Sequence, residues 1–377
     1  MRFKLFVFTL LLFLPPVAAT ASPLGDLFEA AISRDVPAGS FVYNWRDAVL
    51  LRSFIEVYQT TPAERGRISE YISGEMERLA PKAYGTHPNG VASAAGFAFL
   101  EEIGRNSPQT DEALKRVLDQ YGKTIRTPEG ACSTRANRLE LWDDGLYMIG
   151  VTLVACYKAT LDEKYLNRLA HEAFVHSRYL MDGRTGLWYH AWAESSEPVN
   201  DGCGQYGWNL NPEHRNTEFW GRGNGWIAMT LVDLLEFLPR DDVRYKPLLK
   251  IYRRMMRTLR RLQDRETGLW YQLPAHPGDE GNYLESSCTA MFGYSAAKGA
   301  RLGLLPRRYS KVGRRAWDGI VAHCLDYSAG DGVHLTHICP GTCVGDKDYY
   351  YARGTVSQGE TYAVGAAILL GNEIENY

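Results

Sequence analysis

The chain lacks an excess of charge of either sign: 42 Lys and Arg stand against 44 Asp and Glu. That balance removes the electrostatic basis for binding nucleic acid or an anionic membrane. It has no Cys-x-x-Cys and no His-x-x-x-His pair, so the spacing of its ligating residues does not support a zinc site. No Pro/Ser linker or low-complexity block divides it, and strict alternation of β-branched residues is scarce. Beyond the first residues it has no apolar run long and pure enough to span a bilayer. These absences are compatible with one large, mostly helical domain.

The first residues are a separate matter. Arg2 and Lys4 precede the apolar stretch Leu5 to Leu14, then Pro15-Pro16, then Ala19-Thr20-Ala21. This is the pattern of a signal peptide over 1–21, and it predicts export, to the periplasm or the medium, of a single domain over 22–377. Seven cysteines follow. An odd number in an oxidising compartment leaves at least one thiol outside an intrachain bridge. Cys339-Pro-Gly-Thr-Cys343 has the spacing of a loop that closes locally, and Cys156 and Cys288 lie in apolar runs that predict burial.

The remaining sequence repeats itself and is helical in period. Asp182-Gly-Arg-Thr-Gly-Leu-Trp-Tyr189 returns as Asp264-Arg-Glu-Thr-Gly-Leu-Trp-Tyr271, which points to duplicated supersecondary units. Helices are predicted near 44–59, 64–80, 91–105, 109–122, 140–158, 162–181, 223–238, 244–263, 284–302, 307–325 and 358–373. Those at 140–158, 223–238 and 284–302 are apolar or small on most faces, whereas 162–181, 244–263 and 307–325 carry charged faces. Inner and outer helices of an (α/α)6 barrel need those two compositions. An open solenoid is the rival, but a regular short period is missing.

Two motifs bring chemistry to the ends of inner helices. Trp142-Asp143-Asp144-Gly145-Leu146 puts acids at the mouth of an apolar segment, where desolvation favours a protonated carboxyl suited to general acid work. On a continuous helix from residue 140, Glu140, Asp144 and Met148 share a face and Asp143 points about 100° away. The adjacent acids would then not be a pair, and Glu140 would raise the pKa of Asp144. Trp220-Gly221-Arg222-Gly223-Asn224-Gly225-Trp226 supplies glycines for close backbone approach and a planar cation for a carboxylate. Trp45, Trp142, Trp188, Trp220, Trp226 and Trp270 fall at or near element ends, as aromatic platforms for sugar rings would.

These motifs, with Gly186-Leu187-Trp188-Tyr189-His190 and, more loosely, Asn44-Trp45 and the Ala-rich terminal helix through Glu373, resemble glycoside hydrolase family 105. These are the unsaturated rhamnogalacturonyl hydrolases, related to the unsaturated glucuronyl hydrolases of family 88. The resemblance implies an (α/α)6 barrel that needs no cofactor and acts on oligosaccharides left by lyases. In that reaction a carboxylic acid protonates C4 of a C4=C5 unsaturated uronyl residue, water adds at C5, and the hemiketal opens to release the sugar. It places the acid/base on Asp144 and substrate contacts on His190, Arg222 and Trp226; Trp45, Trp142 and Asn224 are further expected substrate contacts, and either His87 or Asn89 takes the place of a family acid or that role is lost. Where the family carries an acid before its third helix this chain reads Tyr84-Gly85-Thr86-His87-Pro88-Asn89-Gly90, and Cys132-Ser133-Thr134-Arg135 replaces a family His. The rivals are hydrolysis of ulvan or glycosaminoglycan products, and a non-catalytic sugar-binding protein that would tolerate loss of Asp144.

Overall fold

The computed structural model describes residues 22–200 and 202–377; the signal-peptide reading lies outside these residues. In chain order the helices are α1 (Pro23–Ala30), α2 (Trp45–Thr60), α3 (Arg65–Leu79), α4 (Pro88–Ser93), α5 (Ala95–Glu102), α6 (Pro108–Gly122) and α7 (Asp143–Thr160). They continue as α8 (Lys164–Leu180), α9 (Gly221–Phe237), α10 (Tyr245–Leu262), α11 (Ser286–Arg301), α12 (Arg308–His323), α13 (Lys347–Tyr351) and α14 (Thr361–Glu375). Three two-stranded antiparallel ribbons complete the order: β1 (Glu140–Trp142) with β2 (Ala191–Ala193), β3 (Trp270–Tyr271) with β4 (Leu284–Glu285), and β5 (Leu325–Asp326) with β6 (His334–Leu335).

Six of these positions form a closed inner ring. α2 packs on α4, α4 and α5 pack on α7, and α7 on α9; α9 then meets α11, α11 meets α14, and α14 returns to α2. The outer layer is α1, α3, α6, α8, α10 and α12, each against its inner neighbours. This is the expected all-α, six-hairpin toroid.

Composition explains which layer each helix joins. Every residue of α11 from Ser286 to Ala300 is buried, because small side chains let it touch neighbours all round. A Cβ on Gly293 would come within 2.7 Å of Ala316 Cβ and 2.9 Å of Leu370, and one on Gly365 of α14 within 2.7 Å of Leu50 Cα. In the outer α10, Leu248, Tyr252, Met255 and Leu259 are buried and the arginines lie on the remaining face. No helix among the described residues is long and apolar enough to cross a membrane.

The duplicated octapeptide makes the same turn twice. Asp182 accepts from the backbone N–H of Thr185 at 2.8 Å and its hydroxyl at 2.6 Å, and Asp264 does so from Thr267 at 2.8 and 2.7 Å. Gly186 and Gly268 follow at φ 77° and 79°, the left-handed region that glycine enters without strain. Each turn sends a fully buried Trp, Trp188 or Trp270, into the core.

Several expectations are corrected here. The predicted helix 91–105 is broken at Ala94 into α4 and α5, and the short α1 and α13 were not predicted. The helix expected from 140 begins at Asp143, since Glu140–Trp142 pair as a strand with β2. Cys343 bridges to Cys203, not to Cys339, while Cys156 and Cys288 are buried free thiols as expected.

The inner glycines set a stability test. Gly365→Ala should destabilise the fold by about 1–3 kcal/mol, because its methyl meets α2 backbone rather than a movable side chain. Gly74→Ala, on the exposed face of α3 with open space around it, should stabilise by about 0.5–1 kcal/mol. Denaturant unfolding of the two variants measures both signs.

Candidate active site

The inner helices all start at one end of the toroid, and their first turns carry the predicted residues. Asn44 caps α2 by accepting from Arg46 N (2.8 Å) and Asp47 N (3.2 Å). His87 caps α4 through Nδ1, which accepts from Asn89 N at 3.1 Å. Glu285 caps α11, taking Ser287 N at 2.8 Å and Cys288 N at 2.6 Å. α7 and α9 have no side-chain cap. The first N–H of each is taken by a backbone carbonyl, Asp143 N by His190 O and Gly221 N by Gln272 O, and their dipole ends favour negative charge at this end.

Asp144 is the part-exposed acid of the pair, its side chain retaining 22% of its surface. Its Oδ2 lies 3.0 Å from His190 Nε2. A carboxylate only accepts, so Nε2–H donates to it, and on the other side of the ring Nδ1 lies 2.8 Å from the Tyr350 hydroxyl. The His190 ring is wholly buried, stacked on Trp220 with centroids 4.4 Å apart and edge-on to Trp142 at 5.3 Å. Burial works to raise the Asp144 carboxyl, but the hydrogen bond and charge of His190, then Asp143 and Arg222, outweigh it and hold it below the usual carboxylate range.

Asp143 sits differently from its expected place. It is fully buried, with Oδ1 3.9 Å from His190 Nε2. A Cβ on Gly223 would fall 2.1 Å from its Oδ2, so the second glycine of the α9 motif is there to make room for this carboxyl. Burial, then the charge of Asp144, pushes its pKa well above the ordinary value. The two acids stand side by side, an oxygen of each within 4.8 Å of the other and of a His190 nitrogen. Glu140 plays no part in it: its carboxylate takes Trp142 Nε1 at 2.8 Å, Arg135 Nε at 3.4 Å and Arg138.

Five of the predicted substrate contacts are buried: His190 and Trp142 around Asp144, and Arg222, Asn224 and Trp226. The Arg222 guanidinium is 1% exposed, donates to the carbonyls of Cys339 (2.5 Å) and Pro340 (2.8 Å), and lies over Trp220 and Tyr362. It supports the 339–340 loop and reaches the acids by its charge. Asn224 accepts from Trp188 N at 2.8 Å and donates to Trp188 O at 2.9 Å and Trp220 O at 3.0 Å, so both its donors are used and, at 0% exposure, the side chain is turned away from a ligand. Trp226 is 0% exposed and stacks near Tyr147 at 4.7 Å, a core residue rather than a platform. The same burial applies to Trp188, Trp220 and Trp270. Trp45 and His87 are half-buried, with Trp45 stacked on Tyr362 at 4.8 Å.

Two long loops close around this end. Cys203–Cys343 ties the segment before α9 to the segment before α13. Gln205 reinforces it, donating to Asp346 Oδ2 at 2.8 Å and accepting from Asp346 N at 2.8 Å. Tyr350, which sequence reasoning missed, arrives on α13. Its triplet Tyr349-Tyr350-Tyr351 carries no motif, and only the tertiary contact reveals it.

Asp143, Asp144 and His190 are also the one place among the described residues where three possible metal-ligating atoms gather within 4.8 Å. The fixed positive charge of buried Arg222 also acts on the same carboxylates. At the opposite end of the inner helices a cavity of about 210 Å³ is lined by Arg52, Glu56, Lys298 and Arg301 among others. Its charges pair with one another or with neighbours, as in Arg52–Glu56, Lys298–Asp233 and Arg301–Glu373, so no site is placed there.

A toroid of six hairpins with acids at the converging inner N-termini defines a six-hairpin glycosidase. The profile described as Glycosyl Hydrolase Family 88 matches residues 31–377, and the chain belongs to that family. It is 24% identical over 312 residues to the unsaturated rhamnogalacturonyl hydrolase YesR of Bacillus subtilis, covering 81% of each chain. It is 27% identical over 235 residues to an unsaturated 3S-rhamnoglycuronyl hydrolase of Alteromonas sp. (strain LOR), covering 60% of this chain and 51% of that one. Its fold is similar to a family 105 glycoside hydrolase from C. acetobutylicum ATCC 824, with TM-score 0.79 and 24% identity over 94% of this chain and 99% of that one.

Two outcomes test these assignments. Asn224→Ala should cost about 2–4 kcal/mol of stability, since it orphans buried backbone groups of the loop that carries His190. Unchanged unfolding with only a raised KM would return Asn224 to the substrate. His87 is held neutral, its pKa pushed from 6.5 down to about 4 by burial and then by the charge of Arg135. The unfolded chain takes up this proton first, so the stability it supports is whole above pH 6.5 and is lost as pH falls toward 4. His87→Asn keeps a cap and should lose less stability over that interval, as paired denaturation curves at neutral and acid pH would read.

Proposed function

We propose that this protein removes the 4,5-unsaturated uronyl residue from the non-reducing end of lyase-generated rhamnogalacturonan oligosaccharides, with Asp144 as the group that serves first as acid and then as base. The observation that carries this reading is how the other acids at this end are occupied. Asp47 accepts from Val42 N and Thr361 Oγ1, both at 2.7 Å. Glu285 is consumed by α11 and by Cys339 N at 3.0 Å, and Glu360 pairs with Arg46 at 3.0 Å. A conventional glycosidase needs two opposed carboxyls flanking the bond. With those three committed elsewhere, the acid chemistry left at this end among the described residues is concentrated at Asp143 and Asp144, which suits hydration of an enol ether.

The reaction then runs from Asp144. Its proton goes to C4, positive charge develops at C5 and the ring oxygen, and water adds at C5 while its proton returns to the carboxylate. The hemiketal opens and frees the remaining oligosaccharide. His190, locked between Tyr350 and Asp144, fixes the direction of the carboxyl. Trp45 and His87 are half-buried at the first turns of α2 and α4, and the buried Trp142 stands edge-on to His190 at 5.3 Å. Arg135, part-exposed over the Trp142 ring at 4.3 Å and near enough to His87 to depress its pKa, is the cation we assign to the uronate carboxylate. Family 105 is the subgroup this reading favours, on the strength of the YesR and C. acetobutylicum similarities. Ulvan-type products are the second reading; the Alteromonas relative, an unsaturated 3S-rhamnoglycuronyl hydrolase, supports a rhamnose-containing uronide of another polymer. Export by the leader fits either polymer.

Purified protein given lyase products of rhamnogalacturonan, ulvan and chondroitin should remove the absorbance of the conjugated double bond, fastest with the first. Asp144→Asn should lower that rate by about a hundredfold to ten-thousandfold with folding intact. A parent protein that leaves all three absorbances unchanged would overturn the reading in favour of a sugar-binding protein.

A further inference from the structure

The geometry points to Asp143 as a proton-holding partner of Asp144: the pair carries one proton between them, and Asp143 restores it to Asp144 in each turnover. Asp143 is wholly enclosed, and neither of its oxygens has a donor among the described groups. An ionised carboxylate in that position would be a buried charge with no hydrogen bond, its one ring neighbour within 4 Å being His190 at 3.9 Å, already bonded to Asp144. A protonated one needs only an acceptor, and Asp144 is next to it. The chain has built this seat, because only a glycine at 223 leaves room for the carboxyl.

Every charged or titratable neighbour fits that division. From the strand segment before β2, His190 bonds Asp144 at 3.0 Å and stands 3.9 Å from Asp143. From α9, the buried cation of Arg222 acts on both carboxyls. From α13, Tyr350 contributes a hydroxyl that stays protonated, its own ionisation opposed by burial and by the charges of both acids. Asp144, with a donor and a cation, is the acid that ionises, and Asp143, with neither bonded to it, is the acid that keeps its proton. The pair therefore titrates as a unit.

This solves a difficulty in the proposed reaction, on which its kinetic part rests. Asp144 is held as a carboxylate in the free protein, yet the first step needs a proton at C4. In the paired site the Asp143 O–H bond breaks as Asp144 gains that proton, and Asp144 passes a proton to C4. Water then adds at C5 and gives up one proton to the pair. Substrate gains H at C4 and OH at C5, and the pair ends with the single proton it began with. Asp143 acts through Asp144 and is a positioning residue.

The test has one arm that does not use substrate. Infrared difference spectra of the folded protein at neutral pH, parent minus Asp143→Asn, should show the carbonyl stretch of a protonated carboxylic acid. Asp144→Asn should keep that band and shift it, because its hydrogen-bond partner has changed; should Asp143→Asn fail to fold, this shift decides the matter alone. In the kinetic arm, Asp143→Asn should fall about tenfold or more at neutral pH, and its alkaline limb should move at least about one pH unit toward acid, since Asp144 must then hold the proton unaided. A purely structural Asp143 would lower activity without moving the limb. No band in the difference spectrum, or a parental pH profile in Asp143→Asn, overturns the inference. A band in a protein that turns over none of the uronides would leave the paired proton standing and remove the proposed substrate instead.

Discussion

The contact on which the site depends is the 3.0 Å hydrogen bond from His190 to Asp144. It joins three parts of the chain that have no local reason to meet. Asp144 belongs to the first turn of α7, His190 to the segment entering β2, and Tyr350, on the other side of the imidazole, to α13. β1 and β2 make the meeting possible: their ladder pairs Trp142 with Ala191, and Asp143 N donates to His190 O at 2.9 Å. The backbone register thus fixes the imidazole against the acid before any side chain chooses a rotamer.

Around that contact the protein spends residues on satisfying polar groups that a barrel axis would otherwise strand. Asn224 fastens the Trp188 backbone to α9, Glu285 collects four donors, and Arg222 holds the carbonyls of residues 339 and 340. Each of these removes a buried unsatisfied group whose cost would be about 1–3 kcal/mol. Arg222 also supplies the fixed positive potential under which two neighbouring acids can exist in a closed space. Its value to the site is therefore electrostatic and architectural together, and it needs no contact with a ligand to have it.

The loops supply the rest. The disulfide and the Gln205–Asp346 clasp keep the α13 segment docked, and α13 is what brings Tyr350 to His190. The barrel by itself would place Asp144 at its mouth but would leave the imidazole held from one side only. A glycosidase fold common to many chemistries is in this way made into one particular acid centre by its longest connections.

The toroid was legible in the sequence because the two helix compositions, small and apolar against amphipathic, are each dictated by one layer of neighbours. The repeated Asp-x-x-Thr-Gly-Leu-Trp-Tyr turn was legible for a similar reason, its hydrogen bonds being local. Asp144 could be singled out from its motif. What the sequence could not decide was direction and company. Three residues of strand in place of a helical turn at Glu140–Trp142 moved Glu140 away and brought Asp143 in, since a strand and a helix aim the same residues differently. Arg222, Asn224 and Trp226 read as ligands because their residue types suit sugars and carboxylates, yet the neighbours that claim them, at 188, 220 and 339–340, are set by packing across the chain. Tyr350 and the Cys203–Cys343 bridge had no local signal at all, because their meaning comes from partners more than a hundred residues away.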